Sequence, residues 1–301
     1  MNIGCRLRIW HIKGCGKRNE LIRAIKKKQI PYGKANSQME DRMDKLYIVI
    51  PAYNEQETIG QVAREWHRVA EKAGDGSRLV IVNDGSKDRT YEILCSLRKE
   101  LPLLVPLTKE NGGHGAAVLY GYAYAVRKKA DYIFQTDADG QTLPGEFWKF
   151  WNRRHRADVL IGCRKHREDG VSRVAVTKVL RFVLWVIFGL DVTDANTPYR
   201  LMDRHVLERT ISQVPRDFHL SNVMLSVLFL KNGERVEFIP ITFRPRQGGK
   251  NSIGLYKITK IGIRAVRDFM VIRHRMEPAK GRGSGRHKNA GRWKDARKQR
   301  I

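Results

Sequence analysis

Short apolar runs recur along the first half of the chain, and each is followed by a stretch with helical spacing of its apolar residues. Leu46–Ile50, Leu79–Val82, Leu103–Leu107, Asp131–Thr136 and Val159–Ile161 read as strands. Helical patterns run from about Glu55 to Lys72, on to Arg98 after the second strand, and over Gly115–Arg127 after the third. This alternation restricts the chain to an α/β class: a mostly parallel, Rossmann-like sheet flanked by helices on both faces. In such sheets ligands bind outside the carboxyl ends of the strands. The residues that follow each strand are therefore the ones to examine.

Those residues are unusual in chemistry. The first strand leads into Pro51-Ala52-Tyr53-Asn54-Glu55. The second leads into Asn83-Asp84-Gly85-Ser86-Lys87-Asp88-Arg89-Thr90. The third is followed by Asn111-Gly112-Gly113-His114-Gly115, and the fourth by Asp137-Ala138-Asp139-Gly140-Gln141. Each taken alone also reads as a turn or a helix cap; their occurrence at successive strand ends is what points to a site. Asp137 and Asp139 are two apart at the end of an extended run, so they project to the same side. Two such carboxylates repel unless a cation lies between them. Hard oxygen ligands suit Mg2+ or Mn2+, with Gln141 adding a carbonyl oxygen and a diphosphate completing the set. The alternative is a solvated acidic turn.

With these motifs in order, residues 46–260 resemble the family 2 glycosyltransferases of the GT-A fold, especially the dolichol- or polyprenyl-phosphate sugar transferases. The resemblance also takes in Pro144, Gly162-Cys163-Arg164, Asp194 to Arg200 and Arg244-Pro245-Arg246. It implies an inverting, metal-dependent transfer of a sugar from a nucleoside-diphosphate sugar. Pro51, Tyr53 and Glu55 would line the nucleoside, Asp84 would contact base or ribose, and Asn111 and Gly115 would shape the nucleotide loop. Asp137 would be the first acid of the D-x-D element, with Asp139 and Gln141 on the metal. Arg164 resembles an arginine near the acceptor phosphate, and Arg246 a clamp on diphosphate or acceptor. Arg164 and Arg200 also read as ordinary surface ion-pair residues. Relatives have Gly-Phe-Arg where Pro198-Tyr199-Arg200 stands and Ser-Lys where Asn251-Ser252 stands, and both departures are expected on the acceptor side.

The acceptor decides whether a protein base is needed. A lipid monophosphate is ionised near neutral pH and attacks unaided, whereas a sugar hydroxyl needs a general base. Asp194 is the candidate base, with a turn cap as its alternative. Segments 174–190 and 256–276 mix large apolar residues with Lys and Arg, as amphipathic helices at a membrane interface do, and also as core-packing helices with a basic outer face do. The acceptor expected is a polyprenyl (undecaprenyl or dolichyl) phosphate at an anionic membrane surface, with transfer to a saccharide hydroxyl in polysaccharide synthesis as the alternative.

Charge is concentrated at the ends. The net charge is +27; residues 1–45 carry 12 Lys/Arg against 4 acids, and Pro278–Ile301 carries 9 against 1. The expected organisation is a basic N-terminal extension (1–45), one glycosyltransferase domain with C-terminal amphipathic helices (46–277) and a basic disordered tail (278–301). No apolar stretch is long enough to span a bilayer and no secretion signal is evident, so a cytoplasmic protein is expected, peripheral on the inner membrane face, with an anchoring partner protein as one way to hold it there. The four cysteines are scattered without metal-site spacing. The charge permits nucleic-acid binding, but the tails lack interleaved aromatics and no recognition module is present. A sugar nucleotidyltransferase would open with a Gly-rich loop where Pro51–Glu55 stands.

Overall fold

The strand Leu46–Ala52 (β1) is buried along its whole length, and its alternation feeds two cores. Tyr47 and Val49 pack with Val80 and Val82 on one face of the sheet, while Leu46, Ile48, Ile50 and Ala52 pack with Leu79 and Ile81 on the other. A strand apolar on both faces belongs at the centre of a covered sheet, and that is where it lies. The computed structural model describes residues 44–164, 171–190, 192, 194–215, 218, 220–244 and 266–274. All of them fall in one unit, Asp44–Ile301.

After β1 come α1 (Ile59–Ala73), β2 (Arg78–Asp84), α2 (Thr90–Leu97), β3 (Leu104–Lys109), α3 (His114–Arg127) and β4 (Tyr132–Gln135). A short helix α4 (Phe147–Trp151), β5 (Val159–Arg164), α5 (Val171–Phe188), β6 (Arg200–Asp203), α6 (Arg204–Ile211), α7 (Ser221–Lys231) and β7 (Val236–Ile241) follow, and residues 266–274 are helical (α8). The seven strands are ordered β3-β2-β1-β4-β6-β5-β7. Neighbours pair in parallel except β6, which runs antiparallel to both β4 and β5. The chain winds outward from β1 through β2 to β3, then returns to place β4 on the other side of β1. The crevice at that reversal, beyond the ends of β1 and β4, is where a ligand of such a sheet sits.

Helix α3 lies close over β1 and β2 because Gly121 has no side chain; a Cβ there would stand 2.4 Å from Val49 Cγ1 and 3.1 Å from Val82 Cγ2. On the opposite face Trp66, Phe134, Phe147, Phe150 and Tyr199 form an aromatic cluster, with Phe134 and Tyr199 edge to face at 4.7 Å. Edge-to-face pairs of this kind are favourable beyond the area they bury. The departure at Tyr199 therefore falls in the core, where its hydroxyl donates to the Leu143 carbonyl at 3.0 Å.

The expected parallel strands are all present, while β6 and β7 are additions that the alternation of apolar runs does not announce. Segment 174–190 falls on α5 up to Phe188 and continues two residues past it, and only 266–274 of the second basic-apolar segment is described. The N-terminal extension before residue 44, the tail 278–301, Asn251-Ser252 and Arg246 lie outside the described residues. Among the described residues, no helix is long and apolar enough to cross a membrane.

Candidate active site

Three loops at the ends of β1, β2 and β3 are held together by their own polar side chains. The Asn54 amide donates to Ser86 Oγ at 3.0 Å, and its own Oδ1 accepts from the Lys87 amide at 2.8 Å. The Glu55 amide donates to Thr90 Oγ1 at 2.9 Å, and the Gln56 amide to Asp88 Oδ2 at 3.2 Å. Asn54 takes a left-handed φ of 52° to make this turn, a conformation asparagine tolerates. Pro51 is buried at the end of β1, Tyr53 is exposed, and Glu55 lies at the loop's edge with its carboxylate accepting from Thr58 Oγ1.

Asp84 is the hub of the next layer. It is 2% exposed, and its carboxylate accepts from Lys109 Nζ at 2.7 Å and from the amides of Gly112 and Gly113 at 3.0 and 2.7 Å. Asn111 Nδ2 donates to the Asp84 carbonyl at 2.9 Å. The loop that opens α3 is thus tied to the end of β2 by charge-assisted bonds. Gly85 makes the contact possible: its φ is +65°, and a Cβ would meet the Asn111 amide nitrogen at 2.8 Å. Gly115 is buried in the first turn of α3, whose N-terminus faces this loop.

At the end of β4, Asp137 and Asp139 are both partly exposed while Ala138 between them is 3% exposed. Both lie beyond Gln135, the last residue of β4, where the chain turns through a bend at residues 138–140. Asp137 Oδ1 is 3.1 Å from His114 Nε2. Burial disfavours a charge on that imidazole, but the carboxylates of Asp137 and, further off, Asp84 outweigh it and raise the pKa of His114 above its ordinary value. Asp139 Oδ1 accepts from the Gln141 amide at 3.0 Å. The Gln141 side-chain amide donates to the Arg244 carbonyl at 3.3 Å, and the Gln141 carbonyl accepts from the Arg244 amide at 2.7 Å, so the loop after β4 is clasped to the segment after β7.

No group of three or more His, Cys, Asp or Glu gathers as a ready metal cage among the described residues. Two carboxylates with an amide oxygen nearby still suit a hard divalent ion. Mg2+ in particular is commonly held by one or two carboxylates, with substrate phosphates and water completing its shell.

Arg164 and Asp194 meet at the end of β5. The Arg164 guanidinium stacks on the Phe243 ring at 4.1 Å, and its backbone amide donates to Asp194 Oδ2 at 3.4 Å. Asp194 is 8% exposed. Arg200 differs from its surface ion-pair reading. It is wholly buried in β6, and among the described residues it bonds only neutral oxygens.

With this geometry in view, the comparison with known sequences decides the family. Residues 47–211 match the model for glycosyl transferase family 2. The chain belongs to that family. It is 23% identical over 220 residues to undecaprenyl-phosphate 4-deoxy-4-formamido-L-arabinose transferases of Salmonella paratyphi B and Salmonella newport. That match covers 72% of this chain and 65% of each relative, so the chain spans just under two thirds of their length. Among solved structures it resembles mannosyl-3-phosphoglycerate synthase from Rubrobacter xylanophilus (TM-score 0.57, 16% identity, 77% of this chain and 76% of that one). It also resembles glucosyl-3-phosphoglycerate synthase from Mycobacterium tuberculosis in complex with Mn2+, UDP-glucose and phosphoglyceric acid (TM-score 0.57, 14% identity, 77% and 80%). Both are likenesses of fold, and they give the sheet described above its name, GT-A.

Three features of the site escape sequence reasoning. His114 stands out only as one letter of its glycine-rich motif, although its place directly before a helix and opposite an acid loop is readable. Phe243 carries no signal apart from its position beside Arg244. Arg200 is a charge among Tyr199, Leu201 and Met202, which is a signature of a buried cation.

Proposed function

We propose that this glycosyltransferase moves a sugar from a nucleoside-diphosphate sugar to a polyprenyl phosphate in one in-line displacement that inverts the anomeric carbon. The observation that supports the donor side is the pair Asp137 and Asp139, both partly exposed in the loop that follows β4 at the sheet's reversal point. Asp137, Asp139 and Gln141 would hold Mg2+ or Mn2+, which when bound supplies charge stabilisation for the departing diphosphate. Pro51, Tyr53 and Glu55 line the nucleoside side. Asp84 acts there through the loop it holds, with Asn111 and Gly115 setting the start of α3. His114 stands beside Asp137, where its N–H can meet a diphosphate oxygen. The complex of the Mycobacterium tuberculosis synthase with Mn2+ and UDP-glucose supports the donor and metal classes.

On the acceptor side, Arg164 held flat on Phe243 presents a fixed guanidinium to a phosphate. Arg246 follows two residues after Arg244 and would close on the same anion. An ionised phosphate attacks without a base, so Asp194 serves to fix the Arg164 backbone in this reading.

Helix α5 favours a lipid acceptor. Leu184 and Phe188 pack inward, yet Val179, Phe182, Trp185 and Val186 point outward, with Phe182 62% exposed. A core-packing helix with a basic outer face would leave that side polar. Met270 and Val271 of α8 are exposed as well, and Lys178, Arg181, Arg267 and Arg273 lie on the same two helices. This combination suits an anionic membrane surface. The Salmonella relatives, undecaprenyl-phosphate transferases by name, agree with it. The test is incubation with labelled nucleotide sugars, Mn2+ and undecaprenyl phosphate. A labelled lipid that loses its sugar in mild acid is expected; label appearing only in a saccharide would overturn the acceptor.

A further inference from the structure

Arg200 is 0% exposed, and among the described residues no carboxylate pairs with it. All five of its hydrogen bonds end on neutral oxygens. Nε donates to the Thr197 carbonyl at 3.1 Å. Nη1 donates to the Asn222 carbonyl at 3.0 Å and to Ser226 Oγ at 3.4 Å. Nη2 donates to the carbonyls of Ala195 at 3.2 Å and Thr197 at 2.7 Å. Such a group is hydrogen-bonded but not neutralised. Burying a lone charge is costly, and an apolar residue in its place would be cheaper for the fold alone.

Its position places that charge on the strand between the two that lead into Asp137 and Arg164. The Cα of Arg200 pairs across the sheet with Gln135, two residues before Asp137, and with Ile161, three before Arg164. Its guanidinium bonds secure the turn that begins at Asp194. Burial lowers its proton affinity, and the fields of Tyr122, Asp194 and Asp137 work the other way. Asn222, whose carbonyl Arg200 holds, carries a buried side-chain amide with neither atom hydrogen-bonded. An acid introduced at position 222 would stand on the residue whose carbonyl Arg200 Nη1 holds at 3.0 Å.

The geometry points to Arg200 as a positioning residue whose unneutralised charge biases the cleft toward anions: it favours the metal-bound diphosphate and disfavours the bare metal ion. This rests on the reading of the cleft as a diphosphate and metal site. A positive charge without a directly bonded acid, on the strand beside the one that leads into Asp137, offsets part of the site's attraction for a cation. A nucleoside-diphosphate sugar carries two negative charges, so its complex with the metal has no net charge and escapes that opposition, while the complex of pyrophosphate or of the departing nucleoside diphosphate is net negative and is attracted. The bias favours loading the metal with the donor over occupation by metal alone.

The two effects have opposite signs, which a purely structural role would not produce. Binding of Mn2+ alone and of Mn2+–pyrophosphate is to be measured by calorimetry on the full chain and on Arg200→Lys, Arg200→Gln and Asn222→Asp. Arg200→Gln should bind Mn2+ more tightly and Mn2+–pyrophosphate more weakly, each by on the order of tenfold. Arg200→Lys, which keeps the charge, should stay near the wild type in both. Asn222→Asp leaves the arginine in place and neutralises it, so it should reproduce the Arg200→Gln pattern even if removing the arginine prevents folding. Both affinities moving together, or neither moving in Asn222→Asp, would overturn the inference while leaving the function standing. A wild type that binds neither probe would overturn the function and the inference with it.

Discussion

Replacing Asp84 with asparagine tests whether the loop that opens α3 is held as described. The Asp84 carboxylate serves three donors: Lys109 Nζ, the Gly112 amide and the Gly113 amide. Asparagine offers one acceptor oxygen and turns an NH2 toward at least one of those donors. The remaining bonds lose their charge assistance, and Lys109 loses its partner. A buried N–H left facing a donor costs about 1–3 kcal/mol, and a bond to a charged group is worth about 1.5–3 kcal/mol. The Lys109 side chain is 21% exposed and can turn to water, which limits its share. The expected loss is therefore about 3 kcal/mol. In a domain of this size that lowers Tm by about 6–12 °C. Urea unfolding gives the free energy, and hydrogen exchange at the Gly112 and Gly113 amides locates it. Adding Lys109→Met should cost less on the Asp84→Asn background than on the wild type. A change below about 0.5 kcal/mol with both amides still protected would refute the argument.

Three further outcomes follow from packing and charge. Gly121→Ala drives a methyl into Val49 and Val82 and should destabilise by about 1–3 kcal/mol, measured by urea unfolding. Asp158 accepts from the Arg235 amide at 2.8 Å and from its guanidinium, which holds the acid's pKa below its ordinary value. A lowered acid contributes stability above its unfolded pKa of about 4, and that contribution fades as pH falls through the lower folded value. Asp158→Asn should thus be less stable than the wild type at pH 7, and the difference in Tm should shrink steadily as the pH is lowered below about 4. Phe182→Ser with Trp185→Ser should reduce binding to vesicles containing anionic lipid at least several-fold while leaving Tm unchanged, because both side chains are outside the core; unchanged sedimentation with vesicles would count against the membrane face.

The centre of the sheet is legible in the sequence because β1, β2 and β4 are buried on both faces and so read as unbroken apolar runs. The loops are legible because asparagine, glycine and acid residues at strand ends have few structural reasons to recur in order. β6 and β7 are not, for physical reasons. β6 is four residues long and opens with Arg200, a charge that propensity assigns to the surface and that only tertiary hydrogen bonds to Thr197, Asn222 and Ala195 accommodate. β7 contains Pro240, which a strand accepts only where its missing N–H is not needed, as at a sheet edge. The outer face of α5 cannot be told from its inner face by pattern, because apolar residues occupy both. Burial of Leu184 and Phe188 against exposure of Phe182 and Trp185 makes that distinction. Asp84 reads as a ligand contact in the sequence, and its hydrogen bonds make it the anchor of a ligand-facing loop.

The account depends on Asp137 and Asp139 holding a divalent ion against the diphosphate of an activated sugar. The direct measurement is thermal unfolding of the full chain with Mn2+ and each of a panel of nucleotide sugars, repeated on Asp139→Ala. At a donor concentration about a hundredfold above Kd the stabilisation is about 2.7 kcal/mol, a rise of about 5–10 °C. One donor should produce that rise in the wild type with Mn2+, and neither removal of Mn2+ nor the Asp139→Ala variant should retain it. A wild type that no donor stabilises, or a rise of equal size in Asp139→Ala, would contradict the account.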